Sequence, residues 1–283
     1  MPEEPRPIIT LLTDFGEADG FVGVMKGVIL GIAPRVELVD LSHLIHPQDI
    51  RQAAFVLMTA VPFFPAGTVH LVVVDPGVGS RRRPIAVEIS NAYFVAPDNG
   101  VLSYSLAQAG SYEAVELTDP RFRLSEVSNT FHGRDIFSPA AAHLAAGLAI
   151  EELGPACSDL LLLDTPRLKA DENRIEAEVL NVDHFGNLRT SILKFTWENE
   201  TTLLLQPIFG REGSQLIRIH APDARTRCGS LEIDGISATF SDVEVGEAVA
   251  FVGSEGGLEI AINQGSASRV HNIRRGDPVS LRF

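Results

Sequence analysis

The chain has 283 residues, with 45% hydrophobic and 21% charged side chains and 23 basic against 37 acidic groups, for a formal net charge of −14. That is the composition of a globular protein long enough for one large or two modest domains. The acidic balance, with no basic run beyond Arg81-Arg82-Arg83, argues against a nucleic-acid partner, which needs many phosphate-neutralising cations.

In chain order, Ile8–Leu12 is a short apolar run ending in Thr13-Asp14-Phe15-Gly16, the pattern of a buried strand with a polar loop at its carboxyl end. Phe21, Val24, Met25, Val28, Ile29 and Ile32 recur at helical spacing, so a helix is expected over 21–32. Strands are expected over 36–39, 69–74, 85–89 and 93–95, and helices over 50–60, 99–109 and 135–148. Strands that alternate with helices point to an α/β domain over 1–165 with a largely parallel sheet and flanking helices. Asp14, Asp40, Asp75 and Asp98 each lie just past a strand end, where open α/β sheets bind ligands; capping of turns is the plainer alternative for each.

Residues 166–173 read as a linker. From Ile175 the pattern is short strands (175–180, 202–205, 215–219, 248–252) separated by Gly, Pro and Asp, with no long helix. This predicts a second, all-β barrel domain over 174–283. The polar start Met1-Pro2-Glu3-Glu4-Pro5-Arg6-Pro7 carries no apolar signal segment, and no apolar run reaches the roughly 18 residues of a membrane span. A cytoplasmic protein without membrane partners is expected. Cys157 and Cys228 form neither a zinc nor a redox motif, and a disulfide between them stays open.

Four blocks are dense in glycine and polar residues: Thr13–Gly16, Val74-Asp75-Pro76-Gly77-Val78-Gly79-Ser80-Arg81-Arg82, Thr130-Phe131-His132-Gly133-Arg134-Asp135 and Val182-Asp183-His184-Phe185-Gly186-Asn187. The second lacks the Gly-Lys-Ser/Thr ending of a P-loop and the glycine spacing of a dinucleotide fingerprint. Asp75, Arg82 and His132 would polarise a water if their loops converge; a structural ion pair beside a satisfied histidine is the alternative. His43 and His46, near Asp40 and Asp49, would make part of a metal face, though a loop after a strand explains them equally.

Together with Asp40-Leu41-Ser42-His43, Phe64-Pro65-Ala66-Gly67-Thr68-Val69, Ala96-Pro97-Asp98-Asn99-Gly100 and Ala141-Ala142-His143-Leu144-Ala145, these blocks resemble the S-adenosylmethionine hydroxide adenosyltransferases. These are relatives of the enzymes that make 5′-fluoro- and 5′-chloro-5′-deoxyadenosine. The resemblance spans nearly the whole chain. It implies a homotrimer of two-domain protomers, with the substrate S-adenosylmethionine held between the first domain of one subunit and the second domain of the next. It implies hydrolysis to adenosine and methionine with no metal and no cofactor. Asp75, Arg82 and His132 match the water-activating triad, Asp14 the carboxylate on the ribose hydroxyls, and Phe131 and Phe240 the adenosine pocket. Asp183 and Asn187 match residues near the methionine and adenine parts, with Phe185 as an aromatic wall.

One departure stands out. Gly253-Ser254-Glu255-Gly256 places Glu255 where a relative has an arginine for the substrate carboxylate. Ser254 and Glu255 are therefore expected at the methionine end, with Glu255 toward the amino group. Asn263-Gln264-Gly265-Ser266-Ala267 is compatible with backbone recognition of adenine. The competing readings are a halogenase, a non-catalytic nucleoside-binding regulator and a metal-dependent phosphohydrolase. The Asp75 carboxylate counts against the first, because it would repel a desolvated halide.

Overall fold

The computed structural model describes residues 6–210 and 216–283. The chain divides into two units, Met1–Leu163 and Asp164–Phe283.

The first unit runs β1 (Ile8–Thr13), α1 (Phe21–Ile32), β2 (Glu37–Ser42), α2 (Ile50–Ala60), β3 (Val69–Val73), β4 (Pro84–Ile89), β5 (Ala92–Pro97), α3 (Ser103–Leu106), β6 (Glu113–Glu116) and α4 (Ser138–Ala145). The strands form one sheet in the order β2-β1-β3-β5-β4-β6. The inner strands β1 and β3 are near-continuous apolar runs with almost every residue buried, as expected where both faces are covered. One face packs Ile9, Leu11 and Val73 against Met25 and Ile29 of α1 and Phe137, Ala141 and Leu144 around α4. The other packs Leu12, Val72 and Val87 against Ala53 and Leu57 of α2.

The sheet is mixed rather than largely parallel. β2, β1, β3 and β5 pair in parallel, whereas β4 is antiparallel to both β5 and β6. The cause is the two-residue turn Ser90-Asn91, where both residues take positive φ (50° and 64°). Such a turn matches strand twist and closes a hairpin. The helix expected over 99–109 shrinks to α3, because the Asn99 side chain donates to the Val74 carbonyl and accepts the Val101 amide, holding a turn there.

The second unit contains β7 (Leu168–Asp171), β8 (Arg174–Val182), β9 (Leu188–Thr190), β10 (Phe195–Trp197), β11 (Thr202–Leu205), β12 (Ile217–His220), β13 (Arg225–Cys228), β14 (Leu231–Asp234), β15 (Ala248–Val252), β16 (Leu258–Ile262), α5 (Ala267–His271) and β17 (Pro278–Arg282). The main sheet runs β14-β13-β17-β8-β9-β16-β15, with β7 added on β8. An isolated bridge between Ser237, just past β14, and Phe251 of β15 brings its two ends together, so the sheet is nearly closed into a barrel. A register shift between Val179 and Asn181 bends β8, letting its first half pair with β17 and its second with β9. β10, β11 and β12 form a separate antiparallel sheet.

Two expectations change here. Leu168–Asp171, expected as linker, is a strand paired to β8, because its alternating residues extend that ladder. The strand expected over 215–219 is observed as β12, its first residue lying outside the described residues. Cys157 and Cys228 are both free. Among the described residues no helix is long and apolar enough to cross a membrane.

Candidate active site

In the first unit the site begins at the carboxyl ends of adjacent parallel strands. Thr13 of β1 lies opposite Val73 of β3, so the loops carrying Asp14 and Asp75 leave the sheet side by side. The loop 75–82 is pressed against the segment before His132 at Gly79. Gly79 has φ +74°, and a Cβ there would lie 2.4 Å from the Asn129 carbonyl oxygen; only glycine allows that approach.

The convergence assembles the triad. Arg82 Nε donates to both carboxylate oxygens of Asp75 at 2.9 and 3.0 Å, and its Nη2 donates to Asp75 Oδ2. The same Nη2 donates to Nδ1 of His132 at 2.7 Å. The Asp75 and Arg82 side chains are only 5% and 7% exposed, and the guanidinium lies over the Phe137 ring at 5.1 Å. A guanidinium has donors only, so His132 Nδ1 accepts and the ring proton is carried on Nε2. Burial, and then the Arg82 charge, hold His132 below its ordinary pKa despite the opposing pull of Asp75. The imidazole is therefore neutral at pH 7.

His132 is held from its carboxyl side by a π-helical turn, Gly133–Phe137, that leads into α4. The Ser138 amide and hydroxyl both reach back to the Gly133 carbonyl, the hydroxyl at 2.7 Å. This turn replaces the first part of the helix expected over 135–148. Buried Asp135 fixes the preceding loop by accepting the Ser128 amide at 2.8 Å.

Phe131 belongs to an aromatic trio that sequence reasoning did not assemble. Its ring centroid lies 5.9 Å from that of Phe15 and 5.2 Å from that of Phe21, both edge-on. Asp14 accepts the Gln48 amide at 2.7 Å through Oδ2. Its loop is held further by Gly16, whose amide donates to the His43 carbonyl, and by Thr13 Oγ1, 2.9 Å from His43 Nδ1.

The other acidic residues at strand ends are structural. Asp98 is buried and takes Arg83 through Nε at 3.0 Å and Nη2 at 2.6 Å, together with the Leu161 amide. Asp40 takes Lys26 at 2.6 Å and faces His43 Nε2 at 3.0 Å. Thr13 takes Nδ1 of His43, and Nε2 lies beside the Asp40 carboxylate. Among the described residues no three His, Cys, Asp or Glu side chains group as a metal site.

In the second unit Asp183 organises its own loop. Its Oδ1 accepts the Phe185 and Asn187 amides at 2.9 and 2.8 Å, and its Oδ2 accepts Asn187 Nδ2 at 2.9 Å. Gly186, at φ +90°, lies so close to Ser266 that a Cβ would fall 1.9 Å from Oγ. An open cavity of about 890 Å³ is lined by Phe185, Asn187, Phe240, Asn263, Gln264 and Ser266, among others. Phe185 is 70% and Phe240 38% exposed, and Phe240 packs on Phe251 at 4.4 Å. Exposed aromatic faces beside backbone and amide groups suit a planar heterocycle. Ser254 and Glu255 sit in the β15–β16 turn, where the Gly253 amide donates to the Gly257 carbonyl at 2.8 Å. Ser254 is exposed, and Glu255 forms an ion pair with Arg189 of β9. Sequence reasoning did not single out Arg189.

Fold and site together define a two-domain protein. Its α/β unit presents a charge-compensated Asp–Arg–His group at strand ends, and its barrel unit presents an aromatic cavity. The particular family follows from comparison. The model of the SAM hydroxide adenosyltransferase N-terminal domain matches residues 9–154, and that of the C-terminal domain matches residues 177–280. The chain belongs to the SAM hydroxide adenosyltransferase family. It is 39% identical over 279 residues to the (R)-S-adenosyl-L-methionine hydrolase of Salinispora tropica, covering 96% of this chain and 97% of that one. A fluorinase of Nocardia brasiliensis is 30% identical over 307 residues, covering 98% and 97%. The crystal structure of an uncharacterized conserved protein from Thermotoga maritima superposes with a TM-score of 0.84 at 35% identity, covering 97% of this chain and all of that one.

Proposed function

We propose that this protein is an enzyme that hydrolyses (R)-S-adenosyl-L-methionine to adenosine and L-methionine. A water oxygen bonds to ribose C5′ in line with the C5′–S bond. That bond breaks with its electron pair staying on sulfur, which leaves as a neutral thioether, and the proton lost by water goes through Asp75 to solvent. The positive sulfonium already activates the carbon, so the protein's task is placement of the nucleophile and disposal of one proton.

The observation that carries this reading is the triad. Oδ1 of Asp75 keeps a lone pair beyond the one taken by Arg82, the Nε2–H of neutral His132 is available to a water oxygen, and Arg82 compensates the carboxylate charge. The same carboxylate disfavours a bare halide as nucleophile. In this reading Asp14 accepts both ribose hydroxyls, Phe131 and Phe240 line the adenosine, Phe185 forms a wall, Asn187 faces adenine, and Asp183, Ser254 and Glu255 serve the methionine end. No metal or cofactor takes part, and neither nucleic acid nor membrane is a partner.

The proposal includes a cytoplasmic homotrimer with a site shared between subunits. Helix α1 supports an assembly. Its Phe21, Val24 and Leu30 are 43–46% exposed. A Cβ at Gly20, Gly23, Gly27 or Gly31 would meet nothing within 4 Å, so packing inside the chain does not call for these glycines. Light scattering should give three times the 30.6 kDa chain mass; a fully active monomer would refute the shared site.

The reaction is tested by chromatography of S-adenosylmethionine incubated with the protein in oxygen-18 water, with and without chloride and a chelator. Adenosine carrying the label at O5′, unaffected by either addition, is expected. Unlabelled adenosine, or a product that needs chloride, would overturn the mechanism, and chelator-sensitive turnover would return a metal to it.

A further inference from the structure

The chemistry above gives no role to Arg189. Arg189 lies on β9, two residues past Asn187 along extended chain, and alternation puts the two side chains on one face. Asn187 lines the aromatic cavity, and Leu188 between them is buried in the barrel. Around the Arg189 guanidinium stand three carboxylates. Glu255 is bonded to Nη2, Glu259 lies 3.4 Å from Nε, and Asp183 acts on it electrostatically. Burial raises the Glu259 pKa; Arg189 opposes this, and Glu255 and Asp183 add to it. The turn over the cluster is built to admit it, since a Cβ at Gly253 would fall 2.0 Å from Glu259 Oε1. The Arg189 and Glu255 side chains are 19% and 23% exposed, and so are reachable from solvent.

We infer that Arg189 and Glu255 form a recognition site for a zwitterionic amino-acid group, the guanidinium fork taking the α-carboxylate and the Glu255 carboxylate the α-ammonium. The inference rests on the proposed hydrolase reading, in which the group bound is the methionine end of the substrate. It also resolves the charge problem raised by Glu255: the cation needed for the carboxylate is supplied from the neighbouring strand. A zwitterion exchanges one internal ion pair for two external ones at no change in net charge, and planar bidentate contact favours arginine over lysine for the carboxylate.

The test is steady-state kinetics of the full-length protein with three substrates: S-adenosylmethionine, its decarboxylated analogue and its deaminated analogue. Arg189→Gln should raise KM for S-adenosylmethionine by about 10- to 100-fold, the scale of a lost charged hydrogen bond, with kcat changed far less. It should leave KM for the decarboxylated analogue within a few-fold. Glu255→Gln should show the mirror pattern, penalised on S-adenosylmethionine and not on the deaminated analogue. If Arg189→Gln does not fold, Arg189→Lys serves, with a smaller penalty that still depends on the carboxylate. Equal penalties on all substrates, or none, would overturn the inference. A wild-type protein that leaves S-adenosylmethionine intact would instead overturn the hydrolase reading, so the two failures are distinct.

Discussion

Nη2 of Arg82 donates to Nδ1 of His132 across 2.7 Å, so one guanidinium both neutralises Asp75 and sets the tautomer of the histidine. The first prediction follows from this coupling. The His132 ring should titrate below 6.5, and Arg82→Gln should move its midpoint up, because it removes a repelling cation and leaves the attracting Asp75 charge. Proton NMR of the imidazole reads both values. A midpoint in the variant at or below that of the wild type would contradict the assignment.

Asp75→Asn keeps the shape of the side chain but removes its charge. General-base help is typically worth roughly 10²–10⁴-fold, so kcat should drop within that range. Calorimetric affinity for substrate should stay within a few-fold. Turnover at the wild-type rate would reduce Asp75 to a loop residue paired with Arg82.

Asp14 should behave in the opposite way. The ribose diol does not change charge during displacement, so its contacts are similar in substrate and transition state, and their loss appears mainly in KM. Asp14→Asn should raise KM by about 10- to 100-fold, with a smaller loss in kcat from displaced ribose. A change confined to kcat would remove Asp14 from the binding role.

Stability should fall on acidification because of His70. The ring is fully buried, stacks on Phe94 at 5.1 Å and pairs with Thr10 at 2.8 Å, and burial pulls its pKa down to about 4. The sign follows from linkage: the unfolded chain takes up a proton below 6.5 while the folded one resists to about 4. Stability is therefore intact above 6.5 and lost as pH falls toward 4. A shift of this size costs about 3 kcal/mol. Urea unfolding at pH 7 and pH 4.5 should show the loss in the wild type. In His70→Asn, which keeps an acceptor near the Nδ1 position, much of that pH dependence should vanish. An unchanged dependence would point to other groups.

Much of this architecture could be read from residue order. The helix over 21–32 and the one over 50–60 occur where their periodicity places them, because apolar residues recur over three turns and a strong signal averages out local exceptions. The strands 202–205 and 248–252 are likewise observed. The reversal of β4 was not legible, because it depends on the backbone conformation of Ser90 and Asn91, and neither is the glycine that usually announces such a hairpin. β6 escaped notice because Glu113-Ala114-Val115-Glu116 is short, with charged ends. In the site, the triad was visible as three motif positions, but its geometry rests on the contact between Gly79 and Asn129, fifty residues apart in sequence. The grouping of Phe15 and Phe21 with Phe131, and of Arg189 with Glu255, is hidden for the same reason. A lone aromatic or arginine carries no signal until folding supplies its neighbours, although the alternation from Asn187 to Arg189 puts both side chains on one face.

The π turn over Gly133–Phe137 has a consequence for how the triad can vary. It holds one residue more than an α-helical turn, and each residue of a helix advances about 100° around the axis. Deleting one residue would let α4 continue backward as regular helix with its buried face unchanged. Everything before the deletion would then be rotated by that angle, carrying His132 away from Arg82. The surplus residue thus sets the phase of the histidine independently of the packing of α4, so the helix can exchange its buried side chains without re-aiming the imidazole.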